Sequence, residues 1–591
     1  MKTWLPALAA AAALVGTSMA SAPALAQTTY DYFTARAVNS GVPAQLDQRD
    51  REYYGAIFAA IDRQDWAGAD ALLNQRADGL LHPVARAELY LAANSPRVEL
   101  WQIDTWLPRG RALPHAQRLA RLAATRGATS LPDLPREQQF YPQAGIPKRV
   151  RPAEVQDGTM PVEIRAAILE RITNDDPDGA RALLDGIDAT LSPEARAEWR
   201  QRVAWSYYIE NMDPQALALA RTVGAGAGPW VAEGEWVAGL AAWRLGDCGE
   251  AGGSFERSAF SATNPELRSA ALYWGSRAAL RCRQPARSTE LLRAAAGADE
   301  TLYGMLAAEQ LGQALSDRVS AADFSEGDWQ AIGGIENVRV AVALMEIGRD
   351  REASEVLLHQ ARIGDASHFG PLSRLARDLG MPQTQLYMAY NAPSGARSDP
   401  ASQFPAPKWV PMTGWRVDPA LAYAHTLQES NFRANAVSPA EAQGLMQITP
   451  ITVRHHAPRL GLNASQVDIF EPSVNLAFGQ RNLEMLRDDP ATGGALPKII
   501  AAYNAGLTPV TRWNSEVRDQ GDPLLYMESI PYWETRGYVS IVLRNYWMYE
   551  RQARAASQSR VTLAQNGWPR FPEAGPTTNG RVYLSSSGGQ D

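Results

Sequence analysis

Cysteine and lysine are the scarce residues of this chain, and each scarcity closes off a class of function. Only Cys248 and Cys282 occur in 591 residues. Two thiols without clustered histidines do not supply the ligands of a structural zinc site, so neither a metal nor a cofactor is expected, and the adjacent His455 and His456 read as an ordinary surface pair on a helix. Lys2, Lys148, Lys408 and Lys498 are the four lysines against 53 arginines, and no Gly-Lys dipeptide is present. That removes the phosphate loop of nucleotide-binding proteins. A formal net charge of -7 argues against a nucleic-acid partner. Runs rich in Val, Ile and Thr are few, and beyond residue 26 no apolar stretch approaches the about 18 residues needed to span a bilayer.

What is present begins with a secretion signal. Met1 to Ala26 carries Lys2, an apolar run through Leu14 and Val15, and the small-residue ending Ala24-Leu-Ala26, so cleavage before Gln27 and export are expected. In an exported chain an even pair of cysteines is expected to form a disulfide. Residues 50 to 390 are rich in Ala, Leu and Arg and broken by short Asp/Pro/Gly turns, which is helical territory. A turn followed by Ala and an apolar pair recurs at Ala69, Ala180, Ala216, Ala251, Ala286 and Ala353, with intervals of 36, 35 and 35 residues from Ala180 to Ala286. This period fits stacked helical hairpins of the tetratricopeptide kind, each burying a face on the next. Cys248 and Cys282 fall near successive turns of the pattern, so their bridge would staple neighbouring hairpins. Trp205, Tyr207, Trp230, Trp236 and Trp274 read as packing between helices. The Pro-rich stretch 392–414 marks a boundary. The expected division is therefore a signal over 1–26, a repeat domain over 27–370, a linker over 371–414, a further folded domain over 415–554 and a disordered tail over 555–591.

That further domain holds the chemistry. Asp418 and Pro419 are placed to start a helix of small and apolar residues that ends in Glu429. Apolar surroundings raise a carboxyl pKa, which suits a proton donor. Four short words follow in order: Gln428-Glu-Ser-Asn-Phe432, Gly444-Leu-Met-Gln-Ile-Thr-Pro450, Ala502-Tyr-Asn-Ala-Gly506 and Ile530-Pro-Tyr-Trp-Glu-Thr-Arg-Gly-Tyr-Val539. The ordered set resembles the soluble lytic murein transglycosylases, and Thr301-Leu-Tyr-Gly-Met-Leu-Ala-Ala-Glu-Gln-Leu-Gly312 resembles a segment late in that family's helical superdomain.

The resemblance implies an all-α protein: a U- or ring-shaped superhelical array of helical hairpins, linker helices and a C-terminal lysozyme-like domain. It implies a periplasmic enzyme that cuts the β-1,4 bond between N-acetylmuramic acid and N-acetylglucosamine without water, leaving a 1,6-anhydro end. Peptidoglycan strands are the implied partner, with other cell-wall enzymes as candidates for the helical array. Glu429 is implied as acid and then base, Ser430 as its hydrogen-bonding neighbour, and Gln447 as a ligand of sugar amides. Met446 is implied as a lining of the same cleft, Tyr503 and Asn504 as faces toward the sugar, and Tyr538 as a partner of the acid or of the muramoyl ring. Two positions depart from the family pattern, Leu427 where Arg is common and Glu441 where Gly is common. Asp468, Glu471, Asp488, Asp489, Glu528 and Glu534 read as solvated or structural, so no second catalytic carboxylate stands out. A hydrolase of the goose-lysozyme kind and an inactive cell-wall-binding scaffold remain alternatives.

Overall fold

The computed structural model describes residues 28–38, 41–316 and 323–572. The expected signal over 1–26 lies outside the described residues. The chain is all-α, with a single two-stranded ribbon, Phe140–Pro142 against Asn391–Pro393, among the described residues.

The repeat has a local cause at each turn. One residue in the left-handed region precedes a cap and then a helix: Gln64 (φ 58°), Asp175 (56°), Asn211 (59°), Gly246 (83°), Arg283 (60°) and Gly348 (71°). Where the cap is Asp65, Asp176 or Asp247, its carboxylate accepts from the amide three residues on, at 3.0, 2.8 and 3.0 Å. The helices that follow are Trp66–Leu73, Pro177–Asp185, Asp213–Ala220, Cys248–Ser261, Pro285–Ala296 and Asp350–Ile363. Ala69, Ala180, Ala216, Ala251 and Ala353 are each the fourth residue of their helix and are fully buried. A larger side chain there would hold the paired helix away. Ala286 breaks the pattern. It is the second residue of Pro285–Ala296 and is exposed, because this turn places Ser288 at the equivalent position.

The hairpins do not share one core. Residues 46–123 bury their apolar faces with residues 324–392, whereas the hairpins from Ile168 to Ala307 share a continuous core with residues 404–571. The expected division into a repeat domain over 27–370, a linker and a separate domain therefore follows the motifs rather than the packing. Nor does the Pro-rich stretch hang free: the carbonyls of Pro405 and Pro407 accept from Tyr549 and Tyr423 at 2.8 and 2.9 Å.

Cys248 and Cys282 are disulfide-bonded, with Cα atoms 5.5 Å apart. The bridge ties the start of Cys248–Ser261 to the end of Pro265–Arg281. The chain does not become irregular at 555. Gln558–Ala564 is a helix whose Leu563 is fully buried, Trp547 donates to Ser559 at 2.9 Å, and Phe571 donates its amide to Gly494. Composition misleads here because a few apolar anchors, Leu563, Trp568 and Phe571, dock an otherwise polar segment. The remaining tail, 573–591, lies outside the described residues. At the other end, helix Thr29–Val38 inserts Phe33 beside Tyr423 and Tyr549, with ring centroids 5.3 and 6.0 Å away.

Candidate active site

Helix Pro419–Ser430 carries the carboxylate. Asp418 caps it, accepting from the Ala420 amide at 2.9 Å and from the Tyr546 hydroxyl at 2.8 Å. Its other residues from Pro419 to Leu427 are buried, so the helix is held on all sides and Glu429 emerges half-buried at its last turn. Asn431 and Phe432 then turn the chain sharply through the left-handed region (φ 50° and 60°). Burial pushes the Glu429 carboxyl up to about 7; the Tyr538 hydrogen bond opposes the rise and the Glu534 charge adds to it.

Tyr538 comes from helix Trp533–Gln552, which packs against Pro419–Ser430. Its hydroxyl donates to Glu429 Oε1 at 2.5 Å and also lies 2.9 Å from His425 Nδ1. His425 is one helical turn before Glu429 and fully buried, and burial pushes its imidazole down to about 3, so it is neutral at any working pH. Its Nε2 has no hydrogen-bond partner among the described residues. A buried N–H without an acceptor is rarer than a buried lone pair without a donor, so we assign the proton to Nδ1. A relay follows: His425 Nδ1–H donates to the Tyr538 oxygen, and the Tyr538 hydrogen then points at Glu429.

The second wall is the Gly444–Gln447 turn. Asn475, fully buried on helix Pro472–Asp488, clamps it: its Oδ1 accepts from the Met446 amide at 2.8 Å, and its Nδ2 donates to the Gln443 and Ile469 carbonyls at 3.0 and 2.8 Å. Gly444 has φ 75°, and a Cβ there would stand 2.1 Å from Asn475 Nδ2, so only glycine fits. Ser430 Oγ donates to the Leu445 carbonyl at 2.7 Å, tying the acid's helix to this turn. Gln447, half-buried, holds φ 50° and donates from Nε2 to the Gly444 carbonyl at 2.8 Å. Tyr503 donates to the Met446 carbonyl at 2.8 Å, and its ring lies tilted against His425 with centroids 4.6 Å apart. Asn504 accepts from Thr535 Oγ1 at 2.6 Å.

The structure therefore brings Glu429, Ser430, Gln447, Tyr503, Asn504 and Tyr538 together. Met446 departs from expectation as a cleft lining. Its side chain is fully buried on Gly479, where a Cβ would stand 2.0 Å from its Sδ, so Met446 serves the site through its backbone. His456 is buried rather than paired on the surface with the exposed His455. His425 and Asn475 were missed. His425 carried a usable signal, a polar side chain four residues before the acid on the same face of an apolar helix; Asn475, 29 residues downstream of Met446, left none. Of the two departures, buried Leu427 continues the apolar helix, whereas exposed Glu441 occupies φ 60°, a conformation in which glycine carries no penalty.

An all-α body in which a half-buried Glu closes an apolar helix, beside a glycine turn and a buried tyrosine, has known counterparts. Residues 410–525 match the family model described as the transglycosylase SLT domain. The chain is similar to the soluble lytic murein transglycosylase of Salmonella typhimurium, 31% identical over 159 residues, which are 27% of this chain and 24% of that protein. It is likewise similar to the soluble lytic murein transglycosylase of Escherichia coli K12, 32% identical over 133 residues, 22% of this chain and 20% of that protein. The chain thus spans less than a quarter of the length of these curated relatives in sequence. In fold the similarity runs further: the 70 kDa soluble lytic transglycosylase of Escherichia coli superposes with a TM-score of 0.50 at 16% identity, covering 88% of this chain and 99% of that one. Among the described residues no helix is long and apolar enough to cross a membrane.

Proposed function

We propose that this chain is a periplasmic peptidoglycan lytic transglycosylase acting on the bond between N-acetylmuramic acid and N-acetylglucosamine. The observation that carries the reading is Glu429 itself, a carboxyl raised to about 7 by burial and held by the Tyr538 hydroxyl. As the acid it donates its proton to the glycosidic oxygen while the C1–O bond breaks. The N-acetyl carbonyl of the muramoyl residue then stabilises C1. As the carboxylate, Glu429 takes the proton of the 6-hydroxyl while that oxygen bonds to C1, closing the 1,6-anhydro ring. The proton count balances, and one carboxyl serves both steps.

The other carboxylates support a single-acid reading. Glu528 binds Arg149 and Tyr303, Asp488 pairs with Arg487, Glu471 caps Pro472–Asp488, and Glu534 is exposed. Gln447, Tyr503 and Asn504 offer amide and hydroxyl groups at the core boundary for the sugar. Mass spectrometry of products from purified sacculi tests the proposal. Anhydro ends, lighter than reducing ends by one water, are expected; reducing ends would assign the site to a hydrolase, and no product to a scaffold.

A further inference from the structure

Helices Pro419–Ser430 and Trp533–Gln552 are tied at both ends, not only at the acid. Tyr538 meets Glu429 at 2.5 Å, and about two turns later Tyr546 donates to Asp418 at 2.8 Å. The partners meet in opposite chain order, so the helices run antiparallel and the two tyrosines fix one lengthwise on the other. One turn beyond Tyr546, on the same face, stands Glu550. Asp418, Tyr546 and Glu550 are all buried, and neither carboxyl is in a salt bridge among the described residues. Arg560, which faces Glu550 from helix Gln558–Ala564, is paired with Glu309 at 2.9 Å.

Two neighbouring buried carboxyls without a paired cation do not both ionise at low cost, and the hydrogen bonds decide which one keeps the proton. Asp418 accepts from the Ala420 amide, the Tyr546 hydroxyl and the Thr29 hydroxyl of the first helix, three donors that suit a carboxylate. Tyr546 has given its hydrogen to Asp418, so Glu550 meets the Tyr546 oxygen only with a hydrogen of its own. Glu550 Oε2 receives no hydrogen bond among the described residues, which is costly for a buried carboxylate and cheap for the neutral acid. Burial, opposed by Ser557 and reinforced by the Asp418 charge, pushes the Glu550 carboxyl up to about 8. Each tyrosine thus has a hydrogen behind it, from His425 at Tyr538 and from Glu550 at Tyr546.

We propose that Glu550 is a positioning residue for Glu429: its hydrogen orients Tyr546, Tyr546 holds Asp418, and Asp418 fixes the start of the helix whose last turn carries the acid. The inference rests on the proposed function for its consequence in catalysis, and on the buried chain of side chains alone for the hold on the helix. When Glu550 loses its proton, two negative carboxyls face one another across a hydroxyl with a single hydrogen to share. The cap loosens, and Glu429 is no longer held against the reacting oxygen. The other charged groups on the helices packed here are engaged elsewhere: Arg551 with Asp299, Lys498 with Asn514, Glu528 with Arg149, and on the first helix Arg36 with Asp323 and Asp31 with Thr28. Tyr423 and Tyr549 donate to carbonyls. Asp418 is therefore the charge that Glu550 meets on ionising.

The test compares the full chain with Glu550→Gln, Glu550→Leu and Tyr546→Phe on two readouts. The first is the pH profile on a soluble glycan. Loss of the Glu429 proton alone gives log kcat/KM a slope of about −1 above about pH 7, and a second required proton steepens it toward about −2 above about pH 8. Wild type should steepen, whereas Glu550→Gln, whose amide donates at every pH, should keep the slope of about −1. At about pH 6 the Leu and Phe variants should lower kcat about three- to tenfold with KM unchanged, and Gln should restore it. The second readout is hydrogen exchange of helix Pro419–Ser430, corrected for the intrinsic rate. Protection in wild type should fall about tenfold from about pH 7 to about pH 9 and stay level in Glu550→Gln. If Glu550→Leu does not fold, Tyr546→Phe and Glu550→Gln decide the comparison. The same slope in wild type and Glu550→Gln, or exchange that changes alike in both, overturns the proposal. Exchange that separates the two proteins while the wild type cuts no glycan would defeat the enzyme reading and leave the hold on the helix standing. Anhydro products with neither readout moved by Glu550→Gln would do the reverse.

Discussion

At the residue scale, the proposed reaction asks one carboxyl to be protonated and then ionised, and the surroundings of Glu429 act in both directions. Desolvation favours the acid and the Tyr538 hydroxyl favours the carboxylate. Activity should therefore fall as pH rises through about 7, where the donor is lost, and a pH profile of kcat/KM on a soluble glycan checks this. Glu429→Gln should lower turnover by roughly 10²- to 10⁴-fold or more. It should also change stability in a pH-dependent way. A carboxyl raised above its unfolded value binds a proton more tightly when folded, so its contribution is lost as pH rises from the unfolded value through about 7. The Gln variant should thus be more stable than wild type by roughly 1–3 kcal/mol at pH 8 and nearly equal at pH 4, read from urea midpoints. The relay through His425 makes a sharper prediction. His425→Asn keeps an N–H near the Nδ1 position, whereas His425→Leu leaves the Tyr538 hydroxyl free to turn. With one hydrogen bond of about 0.5–1.5 kcal/mol less on the carboxylate, the Leu variant should move the alkaline limb up by roughly half to one pH unit. Asn should restore it, and an unmoved limb in Leu would remove His425 from the relay.

At the element scale, the hairpin turn is the unit. Its period was legible because a left-handed residue, a cap and a buried small residue recur at fixed offsets, and Ala180, Ala216 and Ala251 carry all three. Ala286 shows why pattern alone misplaces one unit: alanine is common in this chain, and only the turn geometry at Arg283 fixes which small residue is inside. In the active site, the ordered words pointed to Glu429, Gln447 and Tyr538. Whether Met446 faced a cleft or a core could not be read from them, since an apolar side chain serves either. The disulfide spans 34 residues between two helix ends. Loop-closure entropy for that length is roughly 3–4 kcal/mol, so Cys248→Ala with Cys282→Ala should lower the urea midpoint accordingly, and thiol titration of the denatured, unreduced wild type should find no free thiol. Glu441→Gly should act oppositely on its turn, a gain of about 1 kcal/mol from relieving φ 60°.

At the scale of the whole molecule, the core that supports the acid is not confined to the motif-bearing segment. Salt bridges from Arg277 to Asp522 at 2.5 Å and from Arg544 to Glu266 at 3.1 Å, and a hydrogen bond between Tyr208 and Ser529 at 2.8 Å, join it to the hairpins. Long-range packing of this kind leaves no period in a sequence, which is why the two cores could not be read from it. A chain ending at 554 should be less stable than one ending at 572 by roughly 3 kcal/mol or more, from the lost burial of Leu563 and Phe571. Urea midpoints of the two truncated proteins check this; equal midpoints would show that the Gln558–Ala564 helix is ornamental.

The first described helix has the longest reach of all. Phe33 packs on Tyr423, nearly four hundred positions away along the chain, so the acid's helix is seated on a surface contributed by the opposite end of the polypeptide. Synthesis proceeds from the amino end. The seat therefore exists before the helix that will occupy it, and must wait, exposed, until the last third of the chain arrives. Contacts of such separation form late. An emerging chain consequently carries its proton donor unassembled for most of its length, and the acid's setting is completed only when the last third of the chain meets the first.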